Sequence, residues 1–361
     1  MKFAQTMVAH SSKPKHIGEI MDMKNIFRSC LLLLCILAFP LAAQASPLGL
    51  AGEYNVFMFD DIVQYGTDVE GRVAAGGDVT YGKANNGFSV ASKVQDTQGL
   101  ADLVVGKDVT LKNGSVGYFG KENSGAPEYQ KGVVNWGGKA TIAGDVGYDQ
   151  NKSGPGTPIN FAAEQKYLTT MSSNWGGLSA NGKTDFLYDQ NKLYSIQLTG
   201  NNNNLNVFSL DATKIGQNLG FYIDAPLTST VLVNITGATA SLINFGFYFK
   251  DYEDKIPGSD YISGASKFYP NSNILFNFLD ATLLAINQIE INGSILAPFA
   301  HVDFMKNSHI DGNLIAYSLF GEGESHMELF KGQLPVPEPS TLILLGSGLA
   351  GIAALRQRMK S

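Results

Sequence analysis

Apolar residues in this chain come in short runs of two or three, cut by glycine, and hold no single long period. Val69-Glu70-Gly71-Arg72-Val73, Leu103-Val104-Val105, Val133-Val134 and Thr141-Ile142-Ala143 are typical. Three similar words accompany them about 30 residues apart: Ala75-Gly76-Gly77-Asp78-Val79-Thr80, Val105-Gly106-Lys107-Asp108-Val109-Thr110 and Trp136-Gly137-Gly138-Lys139-Ala140-Thr141. A second unit, apolar-x-Gly-x-apolar-apolar, recurs 19 residues apart in Glu290 to Ala297 and in His309 to Ala316. Short strands with Gly or Asn corners at a coil-like spacing predict a mainly β body, a right-handed β-solenoid with Val, Ile and Leu stacked inward. A β-sandwich with hairpin turns is the competing architecture, because the period is irregular.

One stretch has helical spacing instead. Phe161, Gln165, Leu168, Met171 and Trp175 follow Thr157-Pro158 and precede Gly176-Gly177. This predicts one flanking helix over about 158–175, with Thr157 as N-cap and Pro158 in the first turn.

The two ends differ from the body. Lys24 and Arg28, the apolar stretch Cys30 to Leu41, and Ala43-Gln44-Ala45 before Ser46 form a secretory signal peptide cleaved between Ala45 and Ser46. The polar stretch Met1 to Glu19 delays that signal, and Met21 or Met23 is the more ordinary start. Both cysteines, Cys30 and Cys35, lie inside the signal, so the processed chain is expected to carry no disulfide and no thiolate ligand. At the other end Leu342 to Leu355 is apolar but broken by Gly346, Gly348 and Gly351, and Arg356, Arg358 and Lys360 follow it. At about 1.5 Å per residue the run covers roughly 21 Å, less than a bilayer core of about 30 Å. It therefore reads as a short transmembrane helix, a marginal stop-transfer segment with its basic tail left in the cytoplasm. The expected division is 1–45 extension and signal, 46–334 body, and 335–361 C-terminal segment.

Composition narrows the function classes. A net charge of −6 without a basic stretch gives no footprint for nucleic acid. Charged residues at 16% with a 44% hydrophobic fraction argue for a packed body, not disorder. Candidate chemistry is sparse. His301-Val302-Asp303 and His309-Ile310-Asp311 each place a His and an Asp on one face of a strand, so stacked coils could bring the two pairs together around a metal. Polar rungs on a solvent face are the simpler reading. Asp149-x-Asn151-x-Ser153-Gly154 imitates the first half of a calcium loop, but its twelfth position is Asn160, not Glu, and an Asx turn competes. Asp60-Asp61 is an acid/base pair only by adjacency, because neighbours on a strand point to opposite faces. No nucleophile elbow is present, and no cofactor is expected. Thr228-Ser229-Thr230 alone does not make the flat threonine array of an ice-binding face.

Two resemblances add to this. Val336-Pro337-Glu338-Pro339-Ser340-Thr341, the apolar run and the basic tail resemble the PEP-CTERM sorting signal. That implies recognition of Pro337, Glu338 and Pro339 by a membrane-embedded exosortase, in the manner of Gram-negative, exopolysaccharide-making hosts. Tyr54-Asn55-Val56-Phe57, Asp68 to Val79, the helix followed by Ala180-Asn181-Gly182, Asn292 to Pro298 and Gly312 to Gly332 resemble the "choice-of-anchor A" domain of bacterial surface proteins. The layout is also similar to that of ice-binding solenoids that carry one long helix. The resemblance implies a β-rich surface or matrix module with no established reaction. Its expected partners are signal peptidase, exosortase, the membrane before processing, and exopolysaccharide or another surface ligand. A polysaccharide-active enzyme on a β-helix and an ice- or mineral-binding solenoid are the alternatives.

Overall fold

The computed structural model describes residues 46–95, 99–118, 129–216, 218–244, 246–249 and 271–336. The signal region with Ala45, the triplet Pro337–Pro339, the apolar run and Arg356, Arg358 and Lys360 lie outside the described residues. Among the described residues no helix is long and apolar enough to cross a membrane.

Short strands stack in parallel on three faces, which makes the body a β-solenoid. The first coil shows the plan. Val56–Met58 lies on the first face, Ile62–Gln64 on the second and Thr67–Val69 on the third. The next coil repeats it with Val73–Ala75, Val79–Tyr81 and Phe88–Val90, each in register with its predecessor. Alternation sends Val56, Met58, Ile62, Val69, Val73, Ala75, Val79 and Tyr81 into one continuous interior.

The order of coils does not follow the order of the chain. Val56–Met58 pairs on one side with Val73–Ala75 and on the other with 314–316 of Leu314–Gly321. Ile62–Gln64 likewise pairs with 319–321 of the same strand. The chain therefore starts in the middle of the stack. It coils outward to Val134–Trp136, Ala140–Ile142 and Gly154–Pro155. It then re-enters at the opposite end, with Leu205–Asp211, and coils back through Thr230–Thr236, Ile274–Phe278 and Ser294–Phe304 to the centre. The antiparallel strand Lys183–Asp189 covers Lys192–Thr199 at that far end, which shields an edge that would otherwise offer unpaired amides.

The helix, α1 (Phe161–Gly176), joins the two halves and lies on the outer side of the first face. It begins three residues later than the spacing predicts. Asn160, not Thr157, is the N-cap, its side chain accepting from the Ala163 amide at 3.1 Å. Thr157 instead hydrogen-bonds within its own turn, its Oγ1 accepting from Ile159 N at 3.4 Å. Leu168, Met171 and Trp175 pack on Phe57, Ala74, Val104, Leu232, Leu275, Leu296 and Ile315, forming a second core outside the solenoid. The helix is also fixed by polar groups. Asn277 Nδ2 donates to Ser172 O at 3.0 Å and to Asn234 Oδ1 at 2.9 Å, and Asn234 Nδ2 donates to Trp175 O at 2.8 Å.

The repeated words of the first half mark the corner between the first and second faces. At Gly106 an added Cβ would stand 2.2 Å from Gly76 O, and at Gly137 it would stand 2.1 Å from Gly106 O. The backbones approach too closely there for any side chain. The aspartates after the corner form a ladder. Asp61 accepts from the Asp78 amide at 2.7 Å, Asp78 from the Asp108 amide at 2.9 Å, and Asp108 from the Lys139 amide at 2.7 Å.

Candidate functional site

Unlike the first face, the second face is not covered by the helix. Its strands point Val79, Tyr81, Val109 and Leu111 inward, so the residue between them must point out. Strand register places these outward residues in one row: Thr141, Thr110, Thr80, Val63, Phe320, Asp303, Ala285 and Ser241. Neighbours in such a row stand about 4.8 Å apart. Threonine hydroxyls and methyls hold one end, and Val63, Phe320 and Asp303 follow across the centre, with Phe320 54% exposed. The sequence carried a signal for this row in the last letter of its repeated words, Thr80, Thr110 and Thr141. Thr228-Ser229-Thr230 is unrelated to it: Ser229 and Thr230 are buried, and Thr230 Oγ1 accepts from the Gln333 amide at 2.7 Å.

The two His-x-Asp pairs do not meet. His301 and Asp303 lie on the second face, where His301 Nδ1 is 2.6 Å from Ser318 Oγ and the ring stands edge-on to Tyr317. His309 and Asp311 lie on the third face, which the chain reaches only after turning another corner. There His326, from the following coil, joins them, which sequence spacing alone could not indicate. Its Nδ1 is 2.7 Å from Asp311 Oδ1, and the His309 and His326 ring centres are 4.7 Å apart. His309 Nε2 lies 3.4 Å from Glu290 Oε2. The hydrogen bond to the Asp311 carboxylate holds the His326 pKa above the usual imidazole value, against the opposing effect of burial.

The calcium-like stretch is organised by its own backbone. Asp149 Oδ1 accepts from the Asn151 and Lys152 amides at 3.0 and 3.3 Å, and Oδ2 lies 3.5 Å from Lys152 Nζ. Ser153 Oγ faces away to the neighbouring coil and accepts from Val134 N at 2.8 Å. Asp149 to Asn151 thus forms an Asx turn, and the Ser153 amide donates to Asp149 O at 3.0 Å. Asp60 and Asp61 diverge as well: Asp60 lies 3.6 Å from Lys107 Nζ, while Asp61 heads the corner ladder. A shallow groove beside the start of α1 is lined by Leu100, Val133, Asn135, Lys152 and Thr157, and none of the described residues lining it is a carboxylate. Asp102, on the covered first face, is pushed up by burial although the Val133 amide and Arg72 oppose the shift.

Comparison with known proteins places these features. Residues 47–327 match the family described as "Putative Ice-binding-like adhesive domain", and residues 335–358 match the PEP-CTERM protein-sorting motif. No curated protein matches. Among solved structures, an ice-binding protein from the Antarctic ascomycete Antarctomyces psychrotrophicus superposes with a TM-score of 0.34 at 10% identity, over 77% of this chain and 96% of that one. A glycosylated ice-binding protein from an Arctic yeast gives 0.31 at 13% identity, over 81% and 96%. The domain of a Shewanella frigidimarina ice-binding protein gives 0.29 at 11% identity, over 80% and 98%. These superpositions are loose, and the strand register above defines the fold without them. The outward row, the mid-stack start and the sorting motif therefore sit in a chain that belongs to the ice-binding-like adhesive domain family.

Proposed function

We propose that this protein is a non-enzymatic surface or extracellular-matrix adhesin, exported by its signal peptide, processed by an exosortase, and binding exopolysaccharide through its second face. The observation that carries this reading is the outward row from Thr141 to Phe320, which joins hydroxyls to an exposed aromatic ring on one sheet. Hydroxyls match the hydrogen-bonding groups of a sugar, and an aromatic face stacks on its apolar side. The threonine end favours a second reading, ice binding, because threonines repeat there coil by coil. Val63, Phe320 and Asp303 interrupt that repeat across the centre of the stack.

Both halves of the proposal have tests. The Thr110→Lys/Phe320→Lys variant changes only outward residues and should stay folded, since such surface changes usually cost within about 0.5 kcal/mol. Its binding to purified host exopolysaccharide should fall at least tenfold, against saturable binding by the unaltered protein. Equal binding by both would overturn the face assignment. Turnover of the polysaccharide would overturn the non-enzymatic reading, and partition into ice without polysaccharide binding would favour the second one. For sorting, Glu338→Ala should accumulate as an unprocessed, membrane-retained form on cell fractionation. Normal maturation of that variant would remove the exosortase step.

A further inference from the structure

We propose that His309, Asp311 and His326 form a binding site for a divalent transition-metal ion of the zinc class, which ties two successive coils together. The fold sets up the donors. His309 and Asp311 are two residues apart on His309–Asp311, so their side chains share the outer side of the third face, with Ile310 between them in the core. Parallel register places His326 of Glu324–His326 directly beside Asp311. One donor atom from each of the three lies within 4.8 Å of the others. Modest rotation of the two rings, both partly open to solvent, brings them to the separation that ligands around zinc require.

The donor set selects the ion. Two imidazoles and one carboxylate match zinc and its transition-metal neighbours, whereas calcium and magnesium take oxygen ligands. A surrounding shell is present too. The Glu290 carboxylate beside His309 Nε2 would fix that ring and leave Nδ1 for the ion, the way carboxylates orient metal-binding histidines. A second observation points to a ligand. Asn292 stands opposite Asp311 in the next coil, and its buried Oδ1 has no hydrogen-bond partner among the described residues. A water on the ion would supply that missing donor. The expected consequence is a cross-coil staple, since an ion bound only by the folded stack stabilises it by an amount that grows with the logarithm of free ion concentration over Kd.

The test uses the full-length, untagged chain with its thiols alkylated, stripped with a chelator and titrated with zinc chloride by calorimetry. One zinc per chain should bind saturably and raise the unfolding temperature, and calcium and magnesium should do neither. His309→Ala and His326→Ala should each weaken zinc binding at least about 100-fold, more than loss of an outer-shell partner would. Asp311→Asn, which keeps the side-chain shape, should also weaken it. His301→Ala on the second face should bind as the unaltered chain does. Absence of zinc uptake, or uptake indifferent to His309→Ala and His326→Ala, would overturn the proposal.

Discussion

Replacing Asn313 by alanine should open the centre of the stack and cost roughly 4 kcal/mol, the summed effect of several buried groups losing partners at about 1–3 kcal/mol each, partly relieved by relaxation. Asn313 is fully buried where the last coil meets the first. Its Nδ2 donates to Gly52 O at 3.2 Å and Tyr54 O at 2.6 Å, and its Oδ1 accepts from the Phe330 amide at 2.7 Å. The two Nδ2 bonds join residues more than 250 positions apart, so nothing local can replace them. Asn55 works from the other side, donating to Gly312 O at 2.7 Å and accepting from the Gly71 amide at 3.1 Å. Alanine at 313 strands carbonyls and an amide in a buried seam. Denaturant titration with hydrogen exchange on the Val56–Met58 and Leu314–Gly321 strands is the measurement. Protection should fall there first, while the far coils keep theirs, because solenoid stability is a sum of neighbouring contacts. A loss below about 1 kcal/mol would mean that water or a shifted side chain satisfies the seam.

Trp175→Ala is the second large effect, expected at about 3–5 kcal/mol for a buried aromatic truncated in a packed core. The ring lies in the last turn of α1 and is wholly buried. Its Nε1–H donates to Pro335 O at 2.8 Å. Trp175 therefore has two roles, apolar packing of the helix and a hydrogen bond to the stem of the sorting motif. Trp175→Phe separates them. It keeps most of the buried area and loses the donor, and should cost about 1 kcal/mol. Limited proteolysis should then cut near Val336 faster in both variants, while global unfolding shifts strongly only in the alanine variant. Unchanged cleavage in Trp175→Phe would show that the bond to Pro335 does not restrain the stem.

Much of this fold was legible because its signals are local. The corner glycines Gly76, Gly106 and Gly137, the aspartates after them and the spacing of Leu168, Met171 and Trp175 act on neighbours in the chain or on the next coil. The mid-stack start was not legible. Pairing of Val56–Met58 with residues 314–316 depends on surfaces brought together by a chain reversal through α1, and no spacing in the sequence records it. The candidate sites divide the same way. The threonine row was present in the repeated words and needed only the corner positions to be read. The grouping of His309, Asp311 and His326 was hidden because corners send His301 and His309 to different faces, although both begin the same His-x-Asp pattern.

The path of the chain after His326 has a mechanical consequence. Phe330 and Leu334 are buried against the helix-covered face. The segment crosses several coils, with the Lys331 amide on Ser272 O at 2.6 Å, the Gln333 amide on Thr230 Oγ1 at 2.7 Å and Pro335 O on Trp175. A tether attached beyond Val336 would not pull on an end strand and peel it away. Tension would enter along the flank and load these staggered bonds together, in shear, while both ends of the stack carry none of it. A chain held in this way resists drag through the coils that the segment crosses, and the outward row of the second face stays in shape under load.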